Sequence, residues 1–287
     1  MPDEPFAIVT PSYGPDLPRC RLLCESVDRL ARGATHYLLV DRRDLAAFSP
    51  MKAANRRIVA VEDLLPPWVF RVPMARRWWL SLRTRPLRNW VLQQLVKLSA
   101  DRVVEEEAMV YVDSDVTFLR PFDLSRFQPA GDDRLRLNRV EFTSEQHAKW
   151  LAVAASVLGV GSADVPSVNY VASLVCWRRS TLRKLKEHLA DRNGRDWFRV
   201  MAAQPTFSEY MVYGLFAEKI LGLAQAGHAA SDAPILHLSW GYDLFKPAEV
   251  DRFFADLPAG AIGMMVHSKD AVPLDGYAAR VRAAWEA

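Results

Sequence analysis

Short apolar runs rich in β-branched residues alternate along this chain with segments whose apolar positions recur every three or four residues. That alternation predicts an α/β fold, with a mostly parallel sheet covered by helices. Phe6 to Thr10 predicts a first strand stopped by Pro11, and Leu17 to about Ala31, with Leu23, Val27 and Leu30 on one face, predicts a helix. Thr35 to Val40 and Arg57 to Val61 predict the next two strands, and Pro66-Pro67 opens a loop. A helix is expected from Asn89 to about Ala100, then a strongly apolar strand from Ala108 to Val112. Thr143-Ser-Glu-Gln146 has the spacing of a capping box and opens a helix that runs to Gly159. A strand over Val171 to Trp177 precedes a charged helix that starts at Ser180 and is closed by Gly194, since glycine suits the left-handed position after a helix end. Phe207 to about Leu221 reads as helix, and Pro234 to Ser239 and Ala261 to His267 read as late strands.

Composition narrows the class. The chain has 287 residues, 50% hydrophobic and 25% charged, enough for a substantial core and unlike a disordered segment. The net charge of +3 and the lack of a basic run with interleaved aromatics exclude nucleic acid as the expected partner. The three cysteines, Cys20, Cys24 and Cys176, and a start without a charged n-region and apolar h-region predict a cytoplasmic protein. Cys20 and Cys24 are expected to be small buried residues on a helix, without chemistry of their own. No apolar stretch of about 18 residues occurs, so no membrane span is expected.

The sharpest chemical signal is Tyr111-Val112-Asp113-Ser114-Asp115. Two carboxylates two residues apart at the carboxyl end of an apolar strand lie where open α/β sheets place their ligands. Both can reach one hard divalent cation, and Mn²⁺ or Mg²⁺ there can bridge a diphosphate and neutralise the charge that grows as it leaves.

The segment from Ala108 to Asp123, with its Asp-Ser-Asp and following Arg-Pro-Phe-Asp, resembles the strand and DxD region of bacterial GT-A glycosyltransferases, including relatives of family 8. Ile8 to Tyr13 resembles their first strand and nucleotide loop, Trp90 to Lys97 the helix before the DxD, and Phe207 to Tyr213 a late active-site helix. The resemblance implies one GT-A domain over residues 1–287, with a nucleotide-binding half (1–125) ending in the DxD and an acceptor-binding half with a closing segment (126–287). It also implies a metal-dependent transfer of sugar from a nucleotide-sugar donor, UDP by default, to a glycan or lipid-linked hydroxyl. The metal holds the diphosphate through Asp115 and, directly or through the ribose, Asp113, with Ser114 beside the nucleotide. His267 is the first choice for a third ligand and His237 the second, although the fuller His-x-x-Gly-x-x-Lys pattern of family 8 is missing here.

Thr10, Ser12 and Tyr13, just past the first strand, and Asp41, ending the second, are expected to meet the nucleotide. Glu209 is the candidate for an active-site carboxylate outside the metal pair, either as general base or as a sugar-holding group. Residues 71–100 carry Arg71, Arg76, Arg77, Arg83, Arg85, Arg88 and Lys97 without one Asp or Glu, and Trp78, Trp79 and Trp90 stand among them. Arg88, Gln94 and Lys97 would form a wall for the donor phosphates and the chemistry, whereas Arg76, Arg77, Trp78 and Trp79 would contact an anionic membrane peripherally. The chief rival uses the same residues: Asp113-Ser-Asp115-Val-Thr117 also fits the D-x-D-x-T of haloacid-dehalogenase-like phosphatases, with Asp113 as nucleophile. That motif belongs on the first strand of its domain, and here three expected strands precede it.

Overall fold

The structure, a computed structural model, describes residues 4–72, 78–129, 131–141 and 144–286. The chain opens with β1 (Phe6–Ser12), α1 (Leu17–Leu30), β2 (Ala34–Val40), a short α2 (Leu45–Phe48), β3 (Arg56–Ala60) and α3 (Val61–Leu64). A small antiparallel sheet follows from β4 (Val69–Arg71), β5 (Trp78–Ser81) and β6 (Leu87–Arg88), and leads into α4 (Asn89–Ser99), β7 (Ala108–Val112) and β8 (Val116–Phe118). Beyond lie β9 (Leu135–Asn138), β10 (Val140–Glu141), α5 (Glu145–Leu158), β11 (Val168–Asn169) and β12 (Leu174–Arg178). The chain ends with α6 (Arg179–Asn193), α7 (Trp197–Ala202), α8 (Glu209–Leu215), β13 (His228–Ser231), β14 (Leu236–Leu238), α9 (Pro247–Ala255), β15 (Gly263–Met265) and α10 (Asp275–Ala284).

The central sheet has the order β12-β7-β1-β2-β3, with β12 antiparallel and the other four parallel. This is the mixed, mostly parallel α/β sheet that the hydrophobic pattern predicts. Side chains alternate across it, as a period of two requires. Ala7 and Val9 of β1 and Met109 and Tyr111 of β7 enter the larger core under α4 to α8, whereas Phe6, Ile8, Ala108, Val110 and Val112 enter a second core under α1. Burying both faces explains why these strands read as continuous apolar runs. Each fully buried aliphatic side chain in these layers contributes about 1.5–3 kcal/mol.

Several boundaries differ from expectation for local reasons. Strand β1 continues past Pro11 to Ser12, because its pairing with β7 stops at Val9 and the proline lies where that edge is open. Helix α5 is capped by Ser144, whose side chain accepts from the His147 amide; Thr143, the expected cap, is outside the described residues. Val171 to Ser173 are not paired into β12 and line a cavity instead. Gly159 and Gly194 close α5 and α6 at φ 73° and 62°, as expected for left-handed caps. Cys20 and Cys24 are buried beside Leu38, Val40 and Phe48. Among the described residues no helix is long and apolar enough to cross a membrane.

Two features bring distant segments to the end of β7. Strand β15 pairs antiparallel with β8, Met265 opposite Val116, and the Val266 amide donates to the Asp115 carbonyl at 3.2 Å. Helix α8 packs so closely on Tyr170 that a Cβ at Gly214 would stand 2.3 Å from that ring, and its Glu209 and Tyr210 meet Lys97 of α4 beside Asp113.

Candidate active site

A cavity of about 930 Å³ opens at the carboxyl ends of β1, β2 and β7, the crevice in which open α/β sheets bind their ligands. The expected residues on its lining are Ser12, Tyr13, Asp41, Asp113, Ser114, Asp115 and His267, drawn together from residues 12 to 267.

The paired aspartates differ in their surroundings. Asp115 Oδ2 accepts from the Ser268 amide at 2.9 Å, while Oδ1 is buried with no hydrogen-bond partner. Burial first, then the Asp113 charge, raises the Asp115 pKa above the usual carboxylate range. The Asp113 side chain is 41% exposed to the cavity, and its Oδ1 lies 3.2 Å from Lys97 Nζ. Asp16, half-buried, accepts from the Ser114 hydroxyl at 3.4 Å, and burial raises its pKa too, with the Asp113 charge contributing. The Val266 to Ser268 segment that satisfies Asp115 also brings His267 to the cavity, with its Nδ1 3.7 Å from Asp270 Oδ1. A carboxylate oxygen left bare inside the structure, beside a second carboxylate open to the cavity, fits a hard divalent cation. Among the described residues, however, no three His, Cys, Asp or Glu side chains already stand close enough to hold a metal. His237, the second choice, stacks on Phe253 at 4.4 Å away from the cavity.

Lys97 is the hub of the floor. Its ammonium donates to Tyr210 Oη at 2.6 Å and lies 3.2 Å from both Asp113 Oδ1 and Glu209 Oε1. Burial opposes its charge, but Asp113, Tyr210 and Glu209 together hold its pKa well above the ordinary lysine value. Glu209, fully enclosed at the start of α8, has its pKa raised by burial in spite of Lys97. As placed it lies beside Lys97 and off the cavity lining, and both of its oxygens are buried without a hydrogen bond. Tyr210 lines the cavity in its place.

Three further expectations shift. The Thr10 hydroxyl is buried under the sheet, where the His36 ring donates to it at 3.0 Å; the ring's other nitrogen accepts from Arg56, which fixes the tautomer. Thr10 therefore supports strand ends and does not touch the cavity. Gln94 turns away to donate to the Trp90 carbonyl, and Gln93 faces the cavity. Arg88 lies over the Trp78 ring at 5.3 Å, on the outer side of the small sheet and away from the cavity lining.

The sequence reading missed a second wall. Arg71 and Trp79 are direct cross-strand partners on β4 and β5; Arg71 lies over the Trp79 ring at 4.6 Å and 2.5 Å from Asp41 Oδ2, and Arg43 lies 3.4 Å from the same oxygen. Its period-two pattern was hidden among the arginines. Arg136, Asn138, Asn169, Asp232, Trp240 and Lys269 complete the lining. They arrive from β9, β11 and loops whose pairing is set by long-range contacts, so no local signal marked them.

A family model matches residues 5–284. The chain belongs to that family, described as a family of unknown function (DUF6492). No curated protein matches the chain by sequence. Among solved structures, the galactosyltransferase LgtC in complex with donor and acceptor sugar analogs is similar over 98% of this chain and 95% of that one, at 12% identity and a TM-score of 0.47. A likeness of that depth carries no argument about chemistry, which rests on the site itself. The phosphatase alternative is not favoured by this geometry: β7 is the fourth parallel strand in chain order, and β8 follows Asp115 at once.

Proposed function

We propose that this DUF6492 protein is a glycosyltransferase of GT-A type that binds a nucleotide-sugar donor with a divalent cation at Asp113 and Asp115. The observation that carries the reading is the bare, buried Oδ1 of Asp115 beside the cavity-facing Asp113, at the mouth of β7. Bound there, Mn²⁺ or Mg²⁺ would supply positive charge to the donor diphosphate.

The protein's own groups divide the donor between them. Ser12, Tyr13 and Asp41, with Trp79 and Leu39 beside them, offer a flat apolar surface flanked by a carboxylate, which suits a nucleobase and ribose, with UDP the first donor to try. Lys97 holds Asp113 in place from below. Lys269 and Arg136 line the same cavity and can meet the negative charge that develops as the bond from glycosyl C1 to the diphosphate oxygen breaks, its electrons passing to the diphosphate, while the acceptor hydroxyl oxygen bonds to C1 and its proton passes to the departing diphosphate. His267, on the closing segment, would approach the cation from the other side of the cavity lining. Asn138, Asn169, Asp232 and Trp240 supply the hydrogen-bonding and stacking groups that a glycan or lipid-linked sugar acceptor needs.

Titration of UDP, GDP and CDP, with and without Mn²⁺, tests the reading. At least one nucleotide should bind more tightly with the cation, and Asp115→Ala should remove that increment, roughly a hundredfold or more, without loss of fold. Cation-independent binding in the wild type, or an unchanged increment in the variant, removes the metal assignment. Trapping of beryllium fluoride on Asp113 would transfer the site to phosphatase chemistry.

A further inference from the structure

The sheet β4-β5-β6 has two faces of opposite character. Its inner face carries Arg71 and Trp79 into the cavity, and Trp79 stands opposite the buried Leu87. Alternate residues therefore point outward. Phe70 and Leu80 are direct cross-strand partners and both are exposed, Trp78 is exposed opposite Arg88, and Leu82, just beyond β5, is 75% exposed. A cluster of outward Phe, Trp and two Leu side chains is more than the scattered exposure that any surface shows.

Charge accumulates along the same edge. After Leu82 the chain passes Arg83 and Arg85, and these face Arg195 and Arg199 across a cleft of about 330 Å³. Arg83 lies over the Trp68 ring at 5.7 Å, and Trp68 packs edge-on against Phe198 of α7, which ties the turn to that helix. Among the described residues no carboxylate pairs with any of these four guanidinium groups. Like charges gathered this closely repel unless an anion lies among them. Guanidinium forks suit phosphate oxygens, while tryptophan and leucine beside them suit the interfacial zone of a bilayer.

We propose that the outer face of β4-β5-β6, with the adjoining arginine cleft, docks the protein onto an anionic lipid bilayer, the phosphate headgroups entering among Arg83, Arg85, Arg195 and Arg199. A soluble phosphate would satisfy the cleft but would leave Trp78, Leu80 and Leu82 without a use. The surface refines the sequence expectation. Trp79 points into the cavity, Arg76 and Arg77 lie outside the described residues, and the lipid-facing set becomes Phe70, Trp78, Leu80 and Leu82 with the four arginines. Since one sheet separates this face from the cavity, an acceptor carried by the bilayer would be delivered beside the site; that last point alone rests on the glycosyltransferase reading.

Sedimentation of the whole chain with vesicles provides the test. The wild type should sediment with phosphatidylcholine vesicles containing phosphatidylglycerol, and far less with phosphatidylcholine alone. Arg83→Ala with Arg195→Ala should lower the partition coefficient roughly tenfold or more at low ionic strength, an effect that shrinks as salt shortens the screening length to about 8 Å. Leu82→Ser with Trp78→Ser should lower it at every salt concentration, and circular dichroism should show both double variants folded at the temperature of the assay. The control double variant Arg252→Ala with Arg282→Ala, elsewhere on the surface, should bind as the wild type does. No vesicle binding by the wild type, equal loss in the control, or a self-association abolished by Leu82→Ser in place of vesicle binding would each overturn the proposal. Nucleotide titration of the same variants, unchanged, keeps this outcome separate from that of the active-site reading.

Discussion

Two walls of one cavity hold buried charge in different ways. At the end of β7, one ammonium, Lys97, faces two carboxylates at 3.2 Å each, and Asp115 adds a third close by. On the small-sheet wall, one carboxylate, Asp41, meets two guanidinium groups, Arg71 at 2.5 Å and Arg43 at 3.4 Å, and Arg71 lies over the Trp79 ring. The first wall has an excess of negative charge and three buried carboxylate oxygens without hydrogen bonds, one of Asp115 and two of Glu209; on the second the single carboxylate is offset by two guanidinium groups. Under the proposed function, the first wall would take the cation and the second an uncharged, flat group, so that a single cavity would sort the two ends of a metal-bound nucleotide.

The comparison can be broken first through Lys97. Lys97→Met leaves Asp113 and Glu209 without their cation, and removing one partner from a buried charge cluster costs about 3–5 kcal/mol. Denaturant unfolding should show that loss, with part of it recovered when Glu209→Gln is added. A loss under about 1 kcal/mol would mean the ammonium does not hold the floor.

A pH test separates the walls next. Tyr213 stacks on Trp177 at 4.5 Å, and Trp177 lies against Tyr111 of β7, so the aromatic layer under the first wall ends at His228. The buried His228 ring donates through Nδ1 to the Leu135 carbonyl and accepts from the Tyr213 hydroxyl, and burial lowers its pKa to about 4. Its folded value lies below the unfolded one, so the unfolded chain binds the extra proton between those values. Stability is therefore complete above about pH 6.5 and is lost as pH falls towards 4, by roughly 3 kcal/mol from this residue. His228→Gln, which can keep both hydrogen bonds, should flatten that part of the pH–stability curve. An unchanged slope would assign the acid sensitivity elsewhere.

The smallest effect is expected on the second wall. Arg71→Met removes one of the two guanidinium partners of Asp41, but the carboxylate keeps Arg43, its Nε at 3.4 Å and its amide donating at 3.3 Å, so the cost should be about 1–3 kcal/mol. Unfolding measured beside Lys97→Met decides the matter: equal losses would erase the difference between the walls.

The first wall was legible because its residues obey local rules. An apolar strand that ends in Asp113-Ser-Asp115 needs only the strand period and the strand-end rule to place its carboxylates at a cavity. The helix containing Lys97 was legible too, but not the direction of each side chain: Gln94 and Gln93 are neighbours, and packing alone decided which one faces the cavity. The position of Glu209 on a late helix was legible but its neighbour was not, because Lys97 lies 112 residues away in sequence.

The sequence by itself determined the central sheet, most of its covering helices, the caps at Gly159 and Gly194, and the aspartate pair, all of which follow from periodicity and backbone preference within a few residues. Only the tertiary structure decided that Thr10 serves His36, that Arg71 and Trp79 form a second wall, that Arg83 and Arg85 meet Arg195 and Arg199, and that β15 brings His267 to Asp115. The reason is physical: which partner satisfies a buried charge or amide depends on segments far apart in the chain that packing brings together, and periodicity records which face a residue takes but not what that face meets.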